Sequence, residues 1–150
     1  MIKERLKELN MILPPCPKAV GVYRPFLMEG DTIYLSGVLP KDADGQLQTG
    51  KVGHEVSIEK AQEAAQHCAM NALSILEEAC GLDHIEQIVR VVVYVQSEPD
   101  FYEQHIVANG ASEVFASVLA EAGSHARSAV GVAALPLNAT VEVEVTAKKK

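Results

Sequence analysis

The sequence predicts an α+β domain, a mixed β-sheet with two main helices packed on one of its faces. Three observations predict it. Runs of β-branched residues with period-two alternation flank two stretches of helical periodicity, in the order hairpin, helix, strand, helix, paired strands. The 150 residues suffice to bury one core without a metal or disulfide staple. No repeat, low-complexity tract or linker divides the chain, so residues 1–150 read as a single domain.

Taken in order, Ile2, Leu6 and Leu9 recur at helical spacing and predict a short helix over residues 2 to 10. Pro14, Pro15 and Pro17 end it, so residues 1–17 form an N-terminal helix and an extended lead-in. Val20 to Leu27 and Thr32 to Ser36 read as two strands joined by the turn Glu29-Gly30-Asp31. A turn-rich loop from Lys41 reaches Gly53. Ser57 is a good cap for a long helix whose residues Ala61, Ala64, Ala65, Cys68, Ala72, Ile75, Leu76 and Ala79 share one face until Gly81. Ile88 to Val95 is a β-branched strand, and Val107 to Ala122 a second helix stopped by Gly123. Two closing strands, Ala126 to Ala134 and Thr140 to Ala147, are joined through Leu135-Pro136-Leu137-Asn138 and read as a hairpin.

Composition excludes several classes. Apolar residues at 48% and charged residues at 22% exclude a disordered chain. A net charge of -7 argues against a broad nucleic-acid footprint, and Lys148, Lys149 and Lys150 read as a solvated, frayed end. No run approaches the ~20 apolar residues of a membrane span. The charged start, Met1-Ile2-Lys3-Glu4-Arg5-Leu6-Lys7-Glu8, lacks the apolar core of a signal peptide, so the expected setting is cytoplasmic. Cys16, Cys68 and Cys80 have no metal-like spacing and read as buried or idle thiols. In that setting the glycosylation triplet Asn138-Ala139-Thr140 is idle.

The familiar chemical motifs fail. Gly45-Gln46-Leu47-Gln48-Thr49-Gly50-Lys51 matches the start of a phosphate-binding loop, but Val52 stands where a magnesium-ligating hydroxyl belongs. His54, His67, His84, His105 and His125 form no metal-ligand spacing, so no metal is expected. His67 reads as a boundary residue of the long helix. There is no nucleophile elbow.

The closing strands carry more. Arg127, Ala129, Gly131 and Ala133 alternate with Ser128, Val130 and Val132; Glu142 and Glu144 alternate with Val141, Val143 and Val145. A hairpin turn at residues 136 and 137 pairs Val132 with Val141 and Val130 with Val143, and puts Arg127, Glu142 and Glu144 on one face among small residues. Periodicity leaves two readings open: an ordinary solvated face with a weak cross-strand ion pair, or a pocket in which the planar guanidinium holds a small carboxylate at two points.

His125-Ala126-Arg127-Ser128-Ala129-Val130-Gly131-Val132-Ala133-Ala134-Leu135-Pro136, followed by Val141-Glu142-Val143-Glu144, resembles the C-terminal signature of the RidA (YjgF) family of reactive imine/enamine deaminases. Gly21-Val22-Tyr23 is similar to the family's Gly-Pro-Tyr, Tyr34-Leu35-Ser36-Gly37 to its second-strand Ser-Gly, and Asn109 to the asparagine at the start of its second helix. The resemblance runs from Lys18 to Ala147. It implies a chorismate-mutase-like fold, a homotrimer with sites between subunits, and no cofactor. It also implies hydrolysis of 2-aminoacrylate-type imino acids to 2-keto acids and ammonia. In that frame Arg127 binds the substrate carboxylate and Glu142 orients or activates water, while Tyr23, Ser36, Asn109 and Ala129 line the pocket. Simpler roles stand beside these: Tyr23 packing at an interface, Ser36 pinning a strand end, Asn109 capping a helix. Ala129 replaces a frequent cysteine, and His125-Ala126 stands where a proline commonly precedes the arginine. With its additional N-terminal segment, the chain looks like a longer subgroup.

Two other functions compete with imine hydrolysis. One is a carboxylate-binding or interaction trimer without turnover. The other is RNA cleavage, an activity attached to some family members; the net charge, 5% aromatic content and lack of a basic stripe argue against it.

Overall fold

The computed structural model describes residues 1–18 and 21–150. One five-stranded sheet, in the order β1-β2-β5-β3-β4, carries the fold. Its strands are β1 (Phe26–Glu29), β2 (Thr32–Leu35), β3 (Ile85–Gln96), β4 (Ala126–Val132) and β5 (Val141–Lys149). Helices α2 (Ile58–Cys80) and α3 (Gln104–Leu119) cover one face, and the short α1 (Ile2–Glu8) packs beside α3. The predicted mixed sheet with helices on one face is what the chain forms. No helix among the described residues is long and apolar enough to cross a membrane.

The core lies between helices and sheet. Val91, Val93 and Val95 of β3 and Val141, Val143 and Val145 of β5 point into it, each almost wholly buried. Each contributes roughly 1.5–3 kcal/mol by leaving water. Against them α2 presents Ala61, Ala64, Ala65, Cys68 and Ala72, all fully buried, and these short side chains let the helix lie close to the strands. Gly110 serves the helix pair in the same way: a Cβ there would overlap the backbone carbonyl of Gln62, so α2 and α3 meet backbone to backbone. The Ser57 hydroxyl accepts from the Lys60 amide at 3.2 Å, and Gly81, at φ 82°, ends α2.

Several boundaries and one pairing differ from the sequence reading. Val20 lies outside the described residues, and 21–25 are bends and irregular chain rather than strand, so β1 begins only at Phe26. Pro25 offers no amide to a ladder. The second helix ends at Leu119, and a 3₁₀ turn, Ala120–Gly123, replaces its last expected residues. The C-terminal lysines are not frayed. Lys148 continues β5 and bridges Glu86 at 3.4 Å, the Lys149 amide donates to Asp31, and the Lys150 amide to His84.

The larger correction concerns β4 and β5, which do not form a hairpin. β3 lies between them, parallel to β4 and antiparallel to β5. The side chain of Gln96, at the end of β3, ties down the crossing between them: its Oε1 accepts from the Leu135 amide at 2.7 Å and its Nε2 donates to Asn138 Oδ1 at 2.8 Å. Leu137 and Asn138, at φ 59° and 60°, carry the chain over that end rather than back along β4. The expected pairs Val132 with Val141 and Val130 with Val143 therefore do not exist. Val130 is 40% exposed on the face away from the helices.

Candidate active site

This topology determines where the predicted site residues fall. Arg127 pairs with Val91, and Val91 with Val145, so Arg127 shares the helix-covered face. Glu142 pairs with Tyr94 and Glu144 with Val92, on the open face. The expected single face holding Arg127, Glu142 and Glu144 is thus split in two, because β3 intervenes and sets both registers.

On the helix side, Arg127 is held from α3. Its Nη1 donates to Asn109 Oδ1 at 2.8 Å and to Ser112 Oγ at 3.2 Å, and its Nη2 donates to the His105 carbonyl at 3.3 Å. Residues 105, 109 and 112 follow helical spacing and so present one face to β4. All three acceptors are neutral, and among the described residues the guanidinium has no ion-pair partner. Of its five donors, Nε–H and one Nη2–H take no acceptor among the described residues. A half-buried cation fixed by neutral groups and still holding donors is prepared for an anion. Asn109 lies inside α3, which starts at Gln104, and its side chain serves Arg127 rather than the helix end. Ala129, next along this face, packs against the core. At Gly131 an added Cβ would crowd Gln104 and Ser97.

The other residues gather around the 36–38 segment. Val38 exchanges two backbone hydrogen bonds with Val143, at 2.8 and 3.0 Å, which lays Gly37 against Glu142. A Cβ on Gly37 would overlap the Glu142 carboxylate. Burial, and then the charge of Glu144, push the Glu142 carboxyl above the usual glutamate range. Glu144 itself accepts from the Tyr94 hydroxyl at 2.8 Å, which keeps that phenol protonated to higher pH. Ser36 donates to the Arg24 carbonyl at 2.5 Å and so pins the chain before β1. Tyr23, Ser36 and Gly37 line a cavity of about 60 Å³ together with Asn71 and Ile75. That is far below the ~300 Å³ of an ordinary ligand site. A larger cavity, about 420 Å³, lies where the N-terminal segment crosses α2 and α3, and it contains none of the predicted site residues.

The predicted residues therefore fall into separate groups within one chain: Arg127 with Asn109 on the helix side, Glu142 against Gly37, and Tyr23 and Ser36 around the small cavity. Ser112, an acceptor of Arg127, and Gly37, packed against Glu142, are not among the residues the sequence singled out for the site. The helical spacing of Asn109 and Ser112 is the signal that could have found Ser112. Cys68 is buried, and burial raises its pKa, while the thiol of Cys16 is pushed up to about 11 by burial and by Glu78. No group of three or more His, Cys, Asp or Glu among the described residues is placed to hold a metal ion.

The comparisons with known proteins agree on one family. The sequence pattern of the endoribonuclease L-PSP family matches residues 15–149. Protein TCP17 of Trypanosoma cruzi is 39% identical over 145 residues, covering 95% of this chain and 91% of its own. The human 2-iminobutanoate/2-iminopropanoate deaminase is 30% identical over 132 residues, covering 87% and 82%. Among solved structures, Atu1372 of Agrobacterium tumefaciens, of unknown function, superposes with a TM-score of 0.90 at 42% identity, covering 99% of this chain and 91% of that one. A candidate endoribonuclease from Shewanella oneidensis reaches 0.94 at 28% identity, with 99% of both chains covered. With nearly its whole length accounted for in this way, the chain belongs to the endoribonuclease L-PSP family, which is the YjgF/RidA family.

Proposed function

We propose that the protein hydrolyses small 2-imino acids, in the cytoplasm, as a homotrimer whose sites are completed between subunits. The observation that carries this reading is the Arg127 guanidinium, fixed by three neutral acceptors, without an ion-pair partner among the described residues and with donors to spare. It suits a substrate carboxylate. The division of the predicted residues between the two faces supports the assembly: the Arg127 side of one subunit meets the Glu142 side of the next. Leu27, Tyr34 and Val130, exposed on the open face, give a second copy apolar surface to cover.

In this reading Arg127 anchors the carboxylate and thereby fixes the imine carbon. Water adds to that carbon as the Glu142 carboxylate accepts its proton, and the nitrogen gains a proton. The C–N bond of the resulting carbinolamine then breaks, releasing ammonia and leaving the 2-keto acid. A carboxyl raised above its usual range serves such proton transfers nearer neutral pH. Tyr23, Ser36 and Asn109 shape the pocket, and Ala129 leaves room beside Arg127. No cofactor is needed, since the imine carbon is already electrophilic.

The test is an amino-acid oxidase generating iminopyruvate or iminobutyrate in the presence of semicarbazide, which traps free imine. Wild-type protein suppresses semicarbazone formation and Arg127→Ala does not. A folded protein that fails to suppress it, yet binds 2-oxobutanoate through Arg127, is a carboxylate-binding trimer instead. The family's endoribonuclease description favours RNA as a second substrate class, but a net charge of -7 argues against it.

A further inference from the structure

We propose that Ser112 and His125 form a positioning relay that sets the orientation of the Arg127 guanidinium. The inference rests on the reading of Arg127 as the carboxylate anchor. His125 Nδ1 lies 2.7 Å from the Gly123 carbonyl, and a carbonyl only accepts, so Nδ1 carries the hydrogen. In the neutral ring Nε2 is then the acceptor. The Ser112 hydroxyl, 2.8 Å away, donates to it. With its hydrogen committed, Ser112 Oγ presents its lone pairs to Arg127 Nη1 at 3.2 Å.

The chain of donors thus runs in one direction, from arginine to serine to histidine to backbone. Its far end is rigid. The imidazole packs edge-to-face on Phe115, with centroids 5.9 Å apart and planes at 80°, and Phe115 is fully buried. The turn that delivers His125 is seated as firmly: a Cβ on Gly123 would overlap the Phe115 backbone carbonyl. Asn109 and the His105 carbonyl each take one guanidinium hydrogen, the latter over a longer 3.3 Å bond. Ser112 is a second side-chain acceptor on Nη1 and narrows the remaining freedom about the Cδ–Nε bond, which keeps the unbonded donors aimed at the ligand. Ser112 and His125 touch no substrate in this scheme; they act through Arg127.

Calorimetric titration with 2-oxobutanoate tests it on wild type, Ser112→Ala, Ser112→Thr, His125→Phe and Arg127→Ala, each with a thermal melt and a turnover assay. The relay predicts that Ser112→Ala and His125→Phe weaken binding roughly 3–10-fold, about the worth of one net hydrogen bond. In turnover the same variants raise KM while kcat stays near wild type. Ser112→Thr, which keeps the hydroxyl, binds like wild type. Wild-type affinity in Ser112→Ala overturns the relay, as does a Ser112→Thr variant as weak as Ser112→Ala. If His125→Phe does not fold, the serine pair decides alone. Undiminished binding by Arg127→Ala is a different failure, which removes the carboxylate reading itself.

Discussion

Arg127 and Glu142 stand on opposite faces of one sheet, with β3 between their strands. In the proposed hydrolysis, a guanidinium with unbonded donors and a carboxyl with a raised pKa are the two groups the reaction most needs. A single chain keeps them apart. Two copies that set the Arg127 side of one against the Glu142 side of the other would bring them together, and this gives the first prediction its form.

Arg127→Ala and Glu142→Gln, each strongly impaired alone, should complement one another when the two chains are co-expressed and assembled together. In a cyclic assembly the site between neighbours takes Arg127 from one and Glu142 from the other. Random mixing leaves about one interface in four with both native groups, so about a quarter of wild-type activity should return. Activity assays on the purified mixture, with both chains quantified by mass spectrometry, measure this. Mixtures as inactive as their parents would mean that both groups act within one protomer or that neither is essential.

Arg127→Ala should abolish carboxylate recognition with only a small loss of stability. A bidentate charge-assisted pair is worth roughly 2–4 kcal/mol, or about 30- to 1000-fold in affinity. The substitution leaves Asn109 and Ser112 near solvent rather than sealed in the core, so the melting temperature should fall by only a few degrees. Titration with 2-oxobutanoate beside a melting curve separates the two effects. A large drop in melting temperature with intact binding would make the arginine structural.

Gly37→Ala should slow turnover through Glu142. The added methyl would overlap the Glu142 carboxylate, and a flexible carboxylate end moves more cheaply than backbone. We expect kcat to fall about 10-fold, KM to change less than 3-fold, and the melting temperature to stay within a few degrees. Unaltered kcat would show that the position of Glu142 is not critical.

Much of this was legible in the sequence because the signals were local. The Ser57 cap, the alanine face of α2 and the Gly81 stop each depend on neighbours a few residues away, and all three are present. The β4–β5 relationship was not legible. A period-two pattern says which residues share a face of their own strand, but valines alternate in β3 and β5 alike and match either neighbour. What excludes the hairpin is β3 itself, which pairs along its length with both strands and whose Gln96 side chain bonds Leu135 and Asn138, some forty residues away in the chain. Which side chains share a face of their own strand was legible, but the division of Arg127 and Glu142 between two faces of the sheet was not, since it follows from that strand order. Ser112 stands one helical turn after Asn109, a spacing the sequence does show, but its contact with His125 is made only by the fold.

Glu142 should give the protein a pH-dependent stability opposite in sign to that of an ordinary salt-bridged glutamate. Burial, and secondarily Glu144, hold its carboxyl above the usual range, so the folded protein binds this proton more tightly than the unfolded chain does. The contribution is fully present at acid pH, below the ordinary glutamate value. It fades as pH rises from there through the raised folded value, because ionising the half-buried carboxyl beside Glu144 then opposes folding. Glu142→Gln removes the ionisation. Its melting temperature should therefore match wild type near about pH 4 and exceed it at neutral pH, while kcat falls roughly 100-fold. Melting curves for both proteins between about pH 4 and 8 measure the difference. Parallel curves would show that this carboxyl ionises as it does in the unfolded chain, and would remove it as a proton-transfer group tuned by its surroundings.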